Sequence, residues 1–134
     1  MTDREKVYQY IEDAGLPFFA TVNGDKPACR PFGFRMLVDD QIYFLTVNVK
    51  EVAKQLESNP NIQVVASKDG TFLRYSGIAT FTDDEALLEK AFEKMPMLKD
   101  MTSAPGLEAK LFYLDNAVAE FRTAGGESTE TIEF

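Results

Sequence analysis

The stretch Ile42-Tyr43-Phe44-Leu45-Thr46-Val47-Asn48-Val49-Lys50-Glu51 changes its periodicity half-way along. Residues 42–47 are mostly β-branched or aromatic and read as a strand. From there the apolar residues fall at Val49, Val52, Ala53 and Leu56, the spacing of one helix face. A helix is therefore expected to begin near Val49, with Asn48 as its N-cap and Glu51 completing a capping box. The strand delivers the Thr46 hydroxyl and the Asn48 amide to a helix N-terminus, with Lys50 in the first turn. Unpaired N–H groups and the positive end of the helix dipole make such a junction a ready anion site. A cation in the first turn opposes that dipole by roughly 0.3–1 kcal/mol, a cost that a bound anion offsets. Read alone, the junction fits equally a plain capped helix with a solvated lysine.

Upstream, Thr2-Asp3-Arg4-Glu5 has the form of a capping box, and Val7, Tyr8, Ile11 and Ala14 follow at helical spacing until Gly15 and Pro17. Phe18 to Val22 then reads as a strand closed by the hairpin signal Asn23-Gly24-Asp25. Its return strand is expected from Ala28 to Val38, broken by Pro31 and Gly33, residues that belong at an edge, a bulge or a close ligand approach. On it, Arg30, Phe32 and Phe34 share a face by alternation. An arginine on an apolar face needs an anion or a carboxylate, because an unpaired buried charge is costly. A surface arginine beside core phenylalanines satisfies the same pattern. Asp39-Asp40 turns the chain into the strand at Ile42.

Downstream, Asn59-Pro60 ends the helix, Ile62 to Ala66 is a short buried strand, and Asp69-Gly70 is a turn. Phe72 to Phe81 is a long alternating strand interrupted at Gly77. Thr82-Asp83-Asp84-Glu85 repeats the capping-box pattern ahead of an apolar face of Leu87, Leu88, Ala91, Phe92 and Met95. Met95 to Pro105 reads as irregular, a flap or a partner-contacting loop. Leu111–Tyr113 and Val118–Arg122 read as two strands joined at Asp115-Asn116, and Glu130–Phe134 as a last edge strand. Six to seven strands joined mostly by short turns, with helices inserted, predict a mostly β fold, an antiparallel β-barrel with peripheral helices in one domain, residues 1–134.

Composition narrows the chemistry. The chain has no histidine, which removes the commonest general base, the Ser-His and Cys-His pairs, and most zinc and haem ligation schemes. A net charge of -8 with no basic run argues against nucleic acid and anionic membrane as partners. No apolar run approaches the roughly 20 residues of a membrane span. The charged N-terminus lacks an apolar h-region, and the lone Cys29 suits a reducing compartment, so a cytoplasmic location is expected. Cys29 itself reads as a small buried hydrophobe, and Met95, Met97 and Met101 as flexible packing. At 134 residues with eleven Phe and five Tyr, a self-associating face is expected to help bury apolar surface, so a homodimer is predicted.

Taken in order, Arg30-Pro31-Phe32, then Tyr43-Phe44-Leu45-Thr46, the lysine-bearing helix start, Gln55-Leu56-Glu57-Ser58-Asn59-Pro60-Asn61-Ile62 and Tyr75-Ser76-Gly77-Ile78-Ala79 resemble the pyridoxamine-5'-phosphate-oxidase-like, FMN-binding split-barrel superfamily. The resemblance covers roughly Leu16 to Phe81 well and the final strands loosely. It implies a homodimer with FMN in clefts between subunits. By position it carries the phosphate to Arg30, Thr46, Asn48 and Lys50, with Lys54 and Gln55 one turn on, and it counts Val47 among the cofactor-binding residues. It places Pro31 and Phe32 near the isoalloxazine edge, and lets Phe72 or Arg74 reach the partner's flavin. It implies flavin-mediated reduction of a small organic acceptor by reduced nicotinamide. A non-catalytic flavin-binding module and a cofactor-free dimeric scaffold are the alternatives. The chain lacks tryptophan and the longer C-terminal segment with which true pyridoxamine phosphate oxidases grip their substrate, so the resemblance is to the small members.

Overall fold

The turns come first, because they set the sheet register. In the computed structural model, which describes residues 1–134, Gly24 takes φ 66°, Asp39 and Asp40 take 48° and 60°, and Asp69 and Gly70 take 48° and 70°. These left-handed conformations are what two-residue hairpin loops demand. They join β1 (Phe18–Asn23) to β2 (Lys26–Pro31), β3 (Arg35–Val38) to β4 (Gln41–Val47), and β5 (Asn61–Lys68) to β6 (Thr71–Thr82).

Two more strands, β7 (Ala109–Thr123) and β8 (Ser128–Glu133), complete an antiparallel sheet of eight, one or two more than expected. The order is β2-β1-β5-β6-β7-β4-β3, with β8 also on β7. Pro31 and Gly33 split the expected Ala28–Val38 strand in two, Phe32-Gly33-Phe34 forming the link. In the other direction, the segments expected as separate strands around Asp115-Asn116 are one 15-residue strand. It absorbs Asn116 (φ 48°) as an irregularity opposite Gly77, where the β6–β7 register shifts.

The sheet is not closed by hydrogen bonds, since β2 and β3 stand at its two ends. It curls nonetheless. Phe19 on β1 lies 4.9 Å from Phe44 on β4, although β5, β6 and β7 separate those strands in the sheet. The split barrel is thus held by side chains: Phe19, Phe44, Tyr75 and Phe112 are fully buried in one core. A smaller cluster of Phe34, Met36, Leu45, Ala91, Leu98 and Leu111 fills the space under the later helices.

Helix α1 (Asp3–Ala14) starts with the expected capping box: the Glu5 amide donates to Thr2 Oγ1 at 3.1 Å and the Thr2 amide to Glu5 Oε1 at 2.9 Å. It buries Val7 and Ile11 against the sheet. Helix α2 runs from Glu51 to Ser58, two residues later than expected, and Lys50 rather than Asn48 occupies its N-cap. Helix α3 (Glu85–Lys94) is capped by Asp84, which accepts from the amides of Ala86 and Leu87, and not by a Thr82 capping box. The carboxylate lies nearer the first free amides than the hydroxyl two residues earlier, so it takes them. Within the segment expected to be irregular, Met97–Met101 forms a short helix, α4, anchored by buried Leu98.

Candidate functional site

At the seam where β2 gives way to β3, the chain leaves a cleft of about 400 Å³. One side is the end of β2 and the link that follows, Arg30 to Phe34; the floor is Leu45, Thr46 and Val47 of β4; Lys50 and Val52 come from the start of α2. Met95, Leu98 and Met101 form the remaining wall. The geometry is set locally. Phe32 is stacked on Phe19 at 4.3 Å and 12°, and its amide donates to the Pro17 carbonyl at 2.9 Å, which fixes the link.

Arg30 is half-buried and lies across this cleft with neutral partners only. Its Nη1 donates to Thr21 Oγ1 at 2.7 Å and to the Phe19 carbonyl at 3.3 Å, and its Nη2 donates to Gln55 Oε1 at 2.6 Å. Thr21 Oγ1 also donates to Gln55 Oε1 at 2.6 Å. Thr21 and Gln55 are buried, at 4% and 8% exposure, so they hold the guanidinium in one orientation. Arg30 makes no ion pair, and neither does Lys50. No Asp or Glu lines the cleft.

Helix α2 opens onto the same place without a side-chain cap. Asn48, expected as the cap, faces elsewhere: its Nδ2 donates to the Gly106 carbonyl at 3.0 Å and its Oδ1 accepts from the Glu108 amide at 2.9 Å. It ties the β4–α2 junction to the chain entering β7. That leaves the first amides of α2 without a side-chain acceptor.

Of the ten residues singled out in the sequence, the structure gathers Arg30, Pro31, Phe32, Thr46, Val47 and Lys50 around one cleft. Gln55 reaches it through Arg30. Asn48 and Lys54 do not line it, and Lys54 is exposed. Phe72, with Arg74 at 5.3 Å over its ring, lies on the sheet face opposite the core, and neither residue lines the cleft. Cys29, expected to be buried, is exposed on the edge strand β2. Sequence reasoning missed Thr21 and the Met95–Met101 wall. Thr21 had a signal: it shares a face with Phe19, a polar residue on the inward side of a strand.

A family profile described as pyridoxamine 5'-phosphate oxidase matches residues 4–110. The chain belongs to that family. The pyridoxamine 5'-phosphate oxidase match therefore spans α1 through the start of β7, the part that builds the cleft. Among solved structures, a NimC/NimA family protein from Clostridium acetobutylicum is similar at 25% identity and a TM-score of 0.84, over 98% of this chain and 92% of that one. General stress protein 26 from Bacillus anthracis is similar at 20% identity and a TM-score of 0.75, over the full length of both. HutZ, the heme storage protein of Vibrio cholerae, is similar at 17% identity and a TM-score of 0.62, over 86% of this chain and 90% of that one. The latter two support the fold alone. No curated protein matches the chain. No helix is long and apolar enough to cross a membrane.

Proposed function

We propose that the cleft binds FMN and that the protein is an FMN-dependent oxidoreductase acting on a small organic acceptor, with reduced nicotinamide as the electron source. The observation that carries this reading is a built cation with no anion. Arg30 is oriented by buried Thr21 and Gln55, has no carboxylate partner, and shares its cleft with unpaired Lys50 and the uncapped start of α2. A dianionic phosphate monoester satisfies all three features at once. The other surfaces of the cleft, Phe32, Phe34, Leu45 and Val52, suit a flat apolar ring system. Haem fits less well, because the chain offers no histidine as axial ligand.

Bound there, FMN would supply the electron-transfer chemistry, and the chain's residues do the remaining work. Arg30 and Lys50 would anchor the phosphate, the amides of α2 would donate to its remaining oxygens, and Phe32 and the apolar floor would keep water from the ring. In the homodimer expected from the small size, Phe72 or Arg74 would reach the second subunit's cofactor.

The test is a flavin fluorescence titration of purified apoprotein. Each charge-assisted bond contributes roughly 1.5–3 kcal/mol, so Arg30→Ala and Lys50→Ala are each expected to weaken FMN about tenfold or more. Lys54→Ala, outside the cleft, should bind like the parent. Cofactor-free melts check that the folds survive. Parent-like affinity in both cleft variants would place the phosphate elsewhere, and oxidation of reduced nicotinamide by the loaded protein separates an enzyme from a flavin-binding module.

A further inference from the structure

The wall formed by Met95, Leu98 and Met101 is the part of the cleft that phosphate anchoring leaves without a task. Leu98 is buried among Phe34, Leu45, Ala91 and Leu111, so α4 is pinned to the sheet. Met101, three residues on from Leu98 in the same short helix, stands 56% exposed and still lines the cleft. Met97, at 59%, is equally exposed but does not line it. The wall is uncharged and deformable, since thioether side chains re-pack around flat ligands at little cost.

The charge balance decides what such a wall accepts. The cleft contains two cations, Arg30 and Lys50, and no acid. A phosphate monoester carries about -1.5 to -2 at neutral pH, which uses both. A second anionic ligand would then face methionine and leucine side chains, within a chain of net charge -8. Resting on the FMN reading above, we propose that the α4 wall selects an uncharged, planar, quinone-like acceptor and rejects carboxylated, sulfonated or phosphorylated ones, with Met101 as a specificity-determining residue.

Equilibrium binding to the oxidised, FMN-loaded protein tests this without turnover, using isothermal titration with menadione and with a naphthoquinone sulfonate of the same ring size. The parent is expected to favour menadione by about tenfold or more. Met101→Lys places a cation on the wall and is expected to cut that preference at least about fivefold, mainly by gaining sulfonate affinity. Met97→Lys adds the same charge on the same helix outside the cleft and should keep the parent preference. Thermal melts confirm that both exposed substitutions leave the fold intact. Equal binding of the two quinones by the parent, no binding of either, or identical behaviour of the two lysine variants would overturn the inference while leaving the FMN reading in place. Failure of FMN to bind at all would overturn both.

Discussion

Tyr75 is fully buried in the barrel core, and its hydroxyl has no hydrogen-bond partner. Its ring meets the terminal Phe134 edge-on at 6.0 Å, and the Arg4 guanidinium lies over the ring of that phenylalanine at 4.5 Å. A buried unsatisfied hydroxyl costs roughly 1–3 kcal/mol, so Tyr75→Phe is expected to be neutral or stabilising by about 1 kcal/mol. The pH dependence sharpens this. Burial pushes the phenol up to about 12 from its ordinary 10.0, with the Arg4 guanidinium opposing the shift. Between those values the unfolded chain loses the proton while the folded protein keeps it. Stability is therefore whole below pH 10 and falls as pH rises toward 12. Thermal melts from pH 9 to 12 should show a shallower decline in Tyr75→Phe than in the parent; Tyr8, also pushed up to about 12, keeps the residual slope. An identical decline would assign the alkaline loss to other groups. At this scale the sequence was informative where chemistry is local and silent where it is not. Arg30 announced itself by sharing a face with Phe32, but Asn48 read as a cap because its true partners, Gly106 and Glu108, lie about sixty residues away.

Strands β6 and β7 show the same limit one level up. Gly77 and Asp115-Asn116 both read as interruptions, and only their pairing reveals that each strand continues past the other's irregularity. A break and a bulge carry the same residues; the partner strand decides between them. By contrast, the hairpins at Gly24, Asp39-Asp40 and Asp69-Gly70 were legible, because positive φ is a demand on the turn residues alone. The wall at α4 was not, since its contribution depends on the fold bringing it to Arg30. The bulge has a measurable cost of alteration. A Cβ at Gly77 would stand 2.7 Å from the Asp115 carbonyl oxygen, 3.1 Å from Leu114 Cβ and 3.3 Å from Ala117 Cα. Two of these atoms belong to the backbone and cannot swing aside. Gly77→Ala is expected to lose about 1–3 kcal/mol in urea unfolding. A loss below about 0.5 kcal/mol would show that β7 can shift to accept the methyl group.

For the molecule as a whole, the outer face of β1, β5, β6 and β7 carries a broad shallow groove lined by Ala20, Val22, Ile78 and Val118 among polar neighbours. A homodimer is expected to use such a surface, burying on the order of 1,600 Å² in total. Sedimentation at micromolar concentration should show twice the 15.0 kDa protomer, and a protomer-only boundary would overturn the expectation. The pairing of β7 has a consequence for how the chain comes into being. This one strand hydrogen-bonds β4 through residues 109–112, β6 along most of its length, and β8 through its second half. While synthesis proceeds from the N-terminus, the hairpins β1–β2, β3–β4 and β5–β6 can each close as they emerge. Until Phe112 arrives, however, Phe19 and Phe44 lack one of the rings they pack against, and β4 and β6 present open edges to any other nascent chain. About the last fifth of the chain thus closes the core and covers the edges that the first four fifths leave open.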